Sequence, residues 1–236
     1  MESFPSKSVW LTASTTQSLG LLENCSEGTR NLPQLSKSDG NPVGMLEIEA
    51  AFEIPKGATQ ADFLRACGDY GVTLESPATI EVVDTYFDSA SLRLRSGGQA
   101  LRLRVLDHRR ILGWKSLHPP ELDGVSTRKE NEFEMPSDSP PPSLDSDLIP
   151  LFTICQSRTQ WNIHTNSGID AEASWDIVTI NKGEANNRCR ILEIELKAGS
   201  PKAFRELAAD LRKTLKWKIS SQSKYEYGLA TAGLIN

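Results

Sequence analysis

The chain has 236 residues, with 26 Lys and Arg against 31 Asp and Glu, so its formal charge is 26 − 31 = −5. That sign argues against a coat for DNA or RNA, which needs surplus cations, and no stretch approaches the 18 uncharged apolar residues of a membrane span. Cys25, Cys67, Cys155 and Cys189 are scattered without metal-ligand or disulfide spacing, which fits reduced thiols in the cytoplasm.

Residues 1–44 are rich in Ser and Thr and carry no sustained apolar period, as expected of a disordered extension or of upstream sequence before a start at Met45. Lys7 and Arg30 are outnumbered there by Glu2, Glu23, Glu27 and Asp39, unlike an Arg-rich organelle-targeting segment, and no basic-then-apolar leader is visible.

From Met45 onward a period of two dominates. Leu46–Phe52, Glu81–Phe87, Leu101–Val105, Arg128–Met135, Trp161–His164 and Ile191–Lys197 alternate polar with apolar residues, and each is bounded by turn formers. Gly97-Gly98 marks a turn before the third of these. Helical spacing predicts a helix over Thr59–Tyr70, with Phe63, Leu64 and Cys67 on one face. A second runs over Pro201–Leu215, with Phe204, Leu207, Ala208 and Leu211 as its stripe. A shorter helix is expected over Asp147–Cys155, after a loop at Pro136–Pro142 that could hinge two halves of the domain. Many strands, few helices and no βαβ alternation predict an α+β, mainly antiparallel β fold, as a sheet or barrel.

The charges follow the alternation. Glu47 and Glu49 share a strand face, as do Arg102 and Arg104, then Arg128, Glu130, Glu132 and Glu134, then Glu193, Glu195 and Lys197. Two arrangements produce this pattern. One is a sheet with a wet face and cross-strand ion pairs; the other is a closed barrel with the charges in its lumen. In the barrel, the two Glu pairs suit Mg²⁺ or Mn²⁺, and Arg102, Arg104, Lys115, Arg128 and Arg158 suit a phosphate chain. His108, His118 and His164 sit in unrelated, solvent-facing contexts, and there is no phosphate-cradling G-x-x-x-x-G-K-[ST] loop.

Five motifs occur in order: Leu46-Glu47-Ile48-Glu49, Asp84–Asp88, Ala100–Arg104, Glu193–Lys197 and Ser223-Lys224-Tyr225-Glu226. Together they resemble the CYTH domain of the triphosphate tunnel metalloenzymes, over roughly residues 45–230. The resemblance implies an eight-stranded closed antiparallel barrel around a polar tunnel, with helices packed outside, over residues 45–236. It also implies metal-dependent chemistry on inorganic triphosphate, thiamine triphosphate or RNA 5′-triphosphate ends, or cyclisation of ATP. By the same resemblance Glu47, Glu49, Glu193, Glu195 and Asp176 bind Mg²⁺ or Mn²⁺, with Glu130 and Glu132 as additions. Arg102, Arg104, Lys115, Arg158 and Lys224 act on the phosphates in catalysis, and Arg128 joins them in binding. Tyr86 and Phe87 are expected to pack the barrel.

Two departures bear on activity. Ala51 stands where the family's E-x-E-x-K signature has Lys, Lys56 being too far along to replace it, and Tyr227 stands where Arg is common. The expected function is a phosphohydrolase acting on a small-molecule linear triphosphate. The alternatives are a class IV-type adenylate cyclase and a phosphate-binding module with little turnover. Oligomeric state, a homodimer included, is left open.

Overall fold

The computed structural model describes residues 45–68, 73–74, 78–136, 147–182 and 185–235. The N-terminal extension and most of the Pro136–Pro142 segment lie outside these residues.

The strands are β1 (Met45–Glu53), β2 (Thr73–Leu74), β3 (Ala78–Asp88), β4 (Gln99–Leu106), β5 (Arg109–Ser116), β6 (Val125–Met135), β7 (Ile149–His164), β8 (Asp170–Lys182), β9 (Ala185–Ala198) and β10 (Lys218–Ile219). The helices are α1 (Gln60–Gly68), α2 (Arg93–Ser96), α3 (Pro201–Leu215) and α4 (Lys224–Thr231). Eight strands run antiparallel in the order β1-β6-β5-β4-β3-β7-β8-β9, and β9 pairs back onto β1 from Glu49–Glu195 to Glu53–Ile191, which closes the barrel. The short β10 and β2 extend β1 and β7 at the margins. Closure leaves the barrel strands without the open edges that an antiparallel sheet exposes.

The barrel is polar inside and apolar outside over half its wall. On β1 the odd positions Glu47, Glu49 and Ala51 line the cavity, whereas Ala50 and Phe52 join an outer core with Trp175, Leu192, Ile194 and Ala173. That core is covered by Phe63 and Cys67 of α1 and by Phe204, Ala208 and Leu211 of α3. Burying an aromatic or Leu side chain of this kind contributes roughly 1.5–3 kcal/mol, so the helices gain their stability from this stripe. Both helices start where their caps dictate. The backbone N–H of Thr59 donates to Asp62 at 2.8 Å, and Ser200, just before Pro201, accepts from the N–H of Ala203 at 3.4 Å. α3 stops at Lys216, whose φ of 55° ends the helical geometry.

α4 has a different position. A capping box formed by Ser223 and Glu226 opens it, and Tyr225 and Leu229 pack with Tyr86, Phe152, Ile154, Val178 and Ile180. Those strand residues share the parity of the charged lumen positions Arg158 and Asp176, so α4 closes one end of the lumen with an apolar plug. Gly228 permits the close approach: a Cβ there would run into the Phe152 ring.

The helix expected over Asp147–Cys155 is absent: from Ile149 this segment is the first half of β7. Phe152 and Ile154 face the plug, so the lumen side of the strand is apolar and the polar–apolar alternation that marks a strand is lost. Ile149, Thr153 and Ile154 are β-branched and favour the extended chain.

Candidate functional site

The barrel encloses a cavity of about 350 Å³. Glu47, Glu49, Arg102, Arg104, Lys115, Arg128, Glu130, Glu132, Arg158, Glu193, Glu195 and Lys224 all line it, so residues from distant parts of the chain meet in one space. Asp176 does not reach the cavity. It lies behind Arg158 and Lys224 with no solvent exposure. His108, His118 and His164 are exposed, as expected; His164 holds Asp170 at 2.8 Å.

Every expected cation is paired with a carboxylate. On one wall Arg158 grips Asp176 with two bonds of 2.8 Å, and its Nη2 also reaches Glu193 at 3.3 Å. Lys224, delivered by the first turn of α4, donates to Glu193 at 2.7 Å and to Asp176. Burial alone would raise the Asp176 pKa, but Lys224 and Arg158 override it and hold the carboxyl at about 2.

The opposite wall is built on β3, β4, β5 and β6. Arg104 grips Asp84 with two bonds of 2.8 Å, and Gln156 donates to the same carboxylate at 3.0 Å. Arg102 crosses β5 to reach β6, donating to Glu130 at 3.1 Å and Glu132 at 2.7 Å. Lys115 bridges both Glu47 oxygens at 3.0 Å and Glu130 at 3.1 Å. Arg128 pairs with Glu49, its neighbour but one along the β1–β6 ladder.

One ammonium shared by two carboxylates cannot satisfy both equally. Burial presses both pKa values upward. Lys115 and Arg128 nevertheless bring Glu47 down to about 2, while Glu130, crowded by Glu47, goes up to about 7. Of the two, Glu130 is therefore the carboxyl that holds a proton more readily.

The donor set for a hard cation sits where β1 meets β9 and β8. Register places Glu49 opposite Glu195 and Glu195 opposite Glu172, so three lumen carboxylates stand abreast, with Glu47 one step along β1. Oxygen donors of this kind fit Mg²⁺ or Mn²⁺. Among the described residues no three such groups converge on one point, because Arg128 and Lys115 hold Glu49 and Glu47, and Lys197 holds Glu195 at 2.8 Å. A metal would have to exchange places with these cations.

Sequence reasoning quoted Asp84 only as the start of the Asp84–Asp88 motif, with no role at the site, and gave Glu172 none. Asp84, 1% exposed, anchors Arg104 and Arg102. Glu172 completes the row beside Glu195, and its lumen parity with Asp176 was the available signal. Ala51 faces the lumen opposite Glu193, so the missing Lys leaves a real gap in the wall. Tyr227 packs against the apolar plug instead of supplying a cation.

Among the described residues no helix is long and apolar enough to cross a membrane. Comparison with solved structures shows the same fold in HpAC1 from Hippeastrum, described as having a dominant triphosphatase activity. It is 19% identical, with a TM-score of 0.51 over 78% of this chain and 95% of that one. A Vibrio parahaemolyticus protein described as a candidate adenylate cyclase is 14% identical, with a TM-score of 0.52 over 78% and 97% of the two chains. No curated protein sequence matches the chain. The CYTH domain profile matches residues 45–228, the whole barrel and most of α4, and the chain therefore belongs to the CYTH domain family.

Proposed function

We propose that this protein hydrolyses a linear triphosphate, inorganic or organic, inside the barrel in the cytoplasm. The observation that carries the reading is the enclosed lumen in which Arg102, Arg104, Lys115, Arg128, Arg158 and Lys224 face one cavity, each held by a carboxylate. Unpaired, those cations would repel one another; a phosphate chain can take over the positions the carboxylates fill.

Phosphoryl transfer asks mainly for positioning and charge neutralisation. Arg158 and Lys224, fixed from behind by Asp176, are set to hold one phosphoryl group. Arg102, Arg104 and Lys115 face them from β4 and β5 and would neutralise the oxygen charge that develops as the P–O bond breaks. Arg128, released from Glu49, binds the same chain. Mg²⁺ or Mn²⁺, held by Glu47, Glu49, Glu193 and Glu195 with Glu172 alongside, would supply further neutralisation of phosphoryl oxygens when bound. Asp176 supports the cations and is placed outside that set.

Phosphate release from inorganic triphosphate, ATP and thiamine triphosphate in Mg²⁺ or Mn²⁺ tests the reading. Turnover is expected for at least one, and Glu193→Gln/Glu195→Gln should abolish it; turnover that survives that change would sink the assignment. Ala51 favours a second reading, a binding module with slow chemistry. Triphosphate that raises the melting temperature without being turned over would select it. Formation of cAMP from ATP would instead select the cyclase.

A further inference from the structure

β5 carries its lumen side chains at Ile111, Gly113 and Lys115, and the middle one has no side chain. Glycine weakens a strand interior, so its presence needs a cause. Backbone conformation is not the cause, since Gly113 is outside the set of glycines with positive φ. Room is the cause. A Cβ at Gly113 would lie 3.2 Å from Nε and 3.4 Å from Cγ of Arg102, and 3.7 Å from Oε1 of Glu132. Arg102, Gly113 and Glu132 are directly opposite one another on β4, β5 and β6. The Arg102 side chain thus lies flat across the bare β5 backbone to reach β6.

We propose that Gly113 is a positioning residue: the missing Cβ lets Arg102 span β5, which places its guanidinium over the middle of the cavity wall as the contact for the central part of a triphosphate. The substrate half rests on the triphosphate reading above. With a larger residue at 113, Arg102 has one other carboxylate near, Asp84 at 3.7 Å from Nη1, and would retreat to the β3 side, where Arg104 already holds that group. Arg102 also has spare capacity, because its buried Nε has no hydrogen-bond partner among the described residues. The side chain is therefore held in place by space and by Glu130 and Glu132, not by a fully satisfied hydrogen-bond set.

The test uses the full-length protein and its Gly113→Ala, Gly113→Val, Arg102→Met and Gly113→Val/Arg102→Met variants. Each is titrated calorimetrically with inorganic triphosphate in EDTA, which keeps metal-dependent turnover out. Val suits a strand, so the fold should tolerate it, and a ligand-free melting curve checks this. Gly113→Val should weaken binding by about tenfold, the loss of one charge-assisted contact, and Gly113→Ala by less. In the Arg102→Met background Gly113→Val should cost nothing more. Equal losses in both backgrounds, or wild-type affinity in Gly113→Val, would overturn the proposal. A ligand-free arm follows the Arg102 Nε–Hε NMR signal, assigned by its disappearance in Arg102→Met, and its NOEs to the Glu130 and Glu132 side chains on β6; these NOEs should be lost in Gly113→Val. If the wild-type protein gives no heat with triphosphate in EDTA, the NOEs decide alone: their loss upholds the positioning role, and their retention overturns it. The triphosphate reading itself falls if the protein neither binds nor turns over any triphosphate of the panel above in Mg²⁺ or Mn²⁺.

Discussion

The two walls of the lumen balance their charge differently. Around Asp176 two cations, Arg158 and Lys224, face two carboxylates, Asp176 and Glu193, a sum of 2 − 2 = 0. Around Glu130 two cations, Arg102 and Lys115, face three carboxylates, Glu47, Glu130 and Glu132, a sum of 2 − 3 = −1. The first group is neutral: its Arg158, Lys224 and Glu193 line the cavity, but they are tied to Asp176, which is buried behind it; the second lines the cavity with one carboxylate too many. Buried charge that balances needs no further partner in the ligand-free chain, whereas buried charge that does not must bind a proton or a cation. The raised pKa of Glu130, about 7, is the second wall's answer in the ligand-free chain.

The largest effect should come from breaking the balanced wall. Asp176→Ala leaves Arg158 and Lys224 buried with Glu193 alone, and removal of one partner from a buried ion pair costs about 3–5 kcal/mol. An unfolding free energy lowered by that amount, seen as a lower urea midpoint at constant m value, is the expected result. A loss below about 1 kcal/mol would show that the Asp176 group is as yielding as the other wall.

The unbalanced wall should show itself in pH. A carboxyl whose pKa rises from 4.5 to about 7 on folding binds its proton more tightly in the folded chain. Its contribution is therefore complete below pH 4.5 and is lost as pH rises through 7. Glu47, held at about 2, acts in the opposite direction: its contribution is complete above pH 4.5 and lost as pH falls towards 2. Glu130→Gln should remove the first slope and leave the second. The wild-type chain would then lose on the order of 2 kcal/mol relative to this variant between pH 4.5 and 7. Parallel stability curves over that range would remove Glu130 as the titrating group.

These walls were unequally legible in the sequence. Alternation exposes a lumen residue only where the lumen is charged and the outside apolar, as at Glu47–Glu49, Arg102–Arg104 and Glu193–Glu195. At the plugged end both faces of β7 are apolar, so Phe152 and Ile154 carry no period-two signal and Asp147–Cys155 read as helix. Asp176 was picked out only through the family resemblance, and its burial behind two cations depends on α4 folding back, which no local pattern encodes. Gly113 was silent for another reason: its contribution is an absent side chain, visible only once Arg102 lies across it.

Adding a cation asks how near the balanced wall is to saturation. Ala51→Lys would put an ammonium opposite Glu193, which already accepts from Arg158 and Lys224. With that carboxylate engaged, the new cation should be available to phosphate, and triphosphate affinity should rise by up to about tenfold. Calorimetry in EDTA reads this directly. Unchanged affinity would mean that Glu193 captures the new Lys, and that the substitution at this position does not limit binding.

The smallest effect probes the surplus carboxylate itself. Glu132 is 40% exposed at its side chain, so its bond to Arg102 is screened and contributes no more than about 1 kcal/mol to stability. Its charge nevertheless occupies the side of Arg102 that a phosphate would need. Glu132→Gln should leave the melting temperature nearly unchanged and tighten triphosphate binding by a few-fold, because a neutral amide competes less for the guanidinium. Glu130 stays on the same nitrogen at 3.1 Å and keeps Arg102 drawn across Gly113. Weaker binding in Glu132→Gln would mean that Arg102 needs both carboxylates to hold its reach, and the surplus on this wall would then be part of the support.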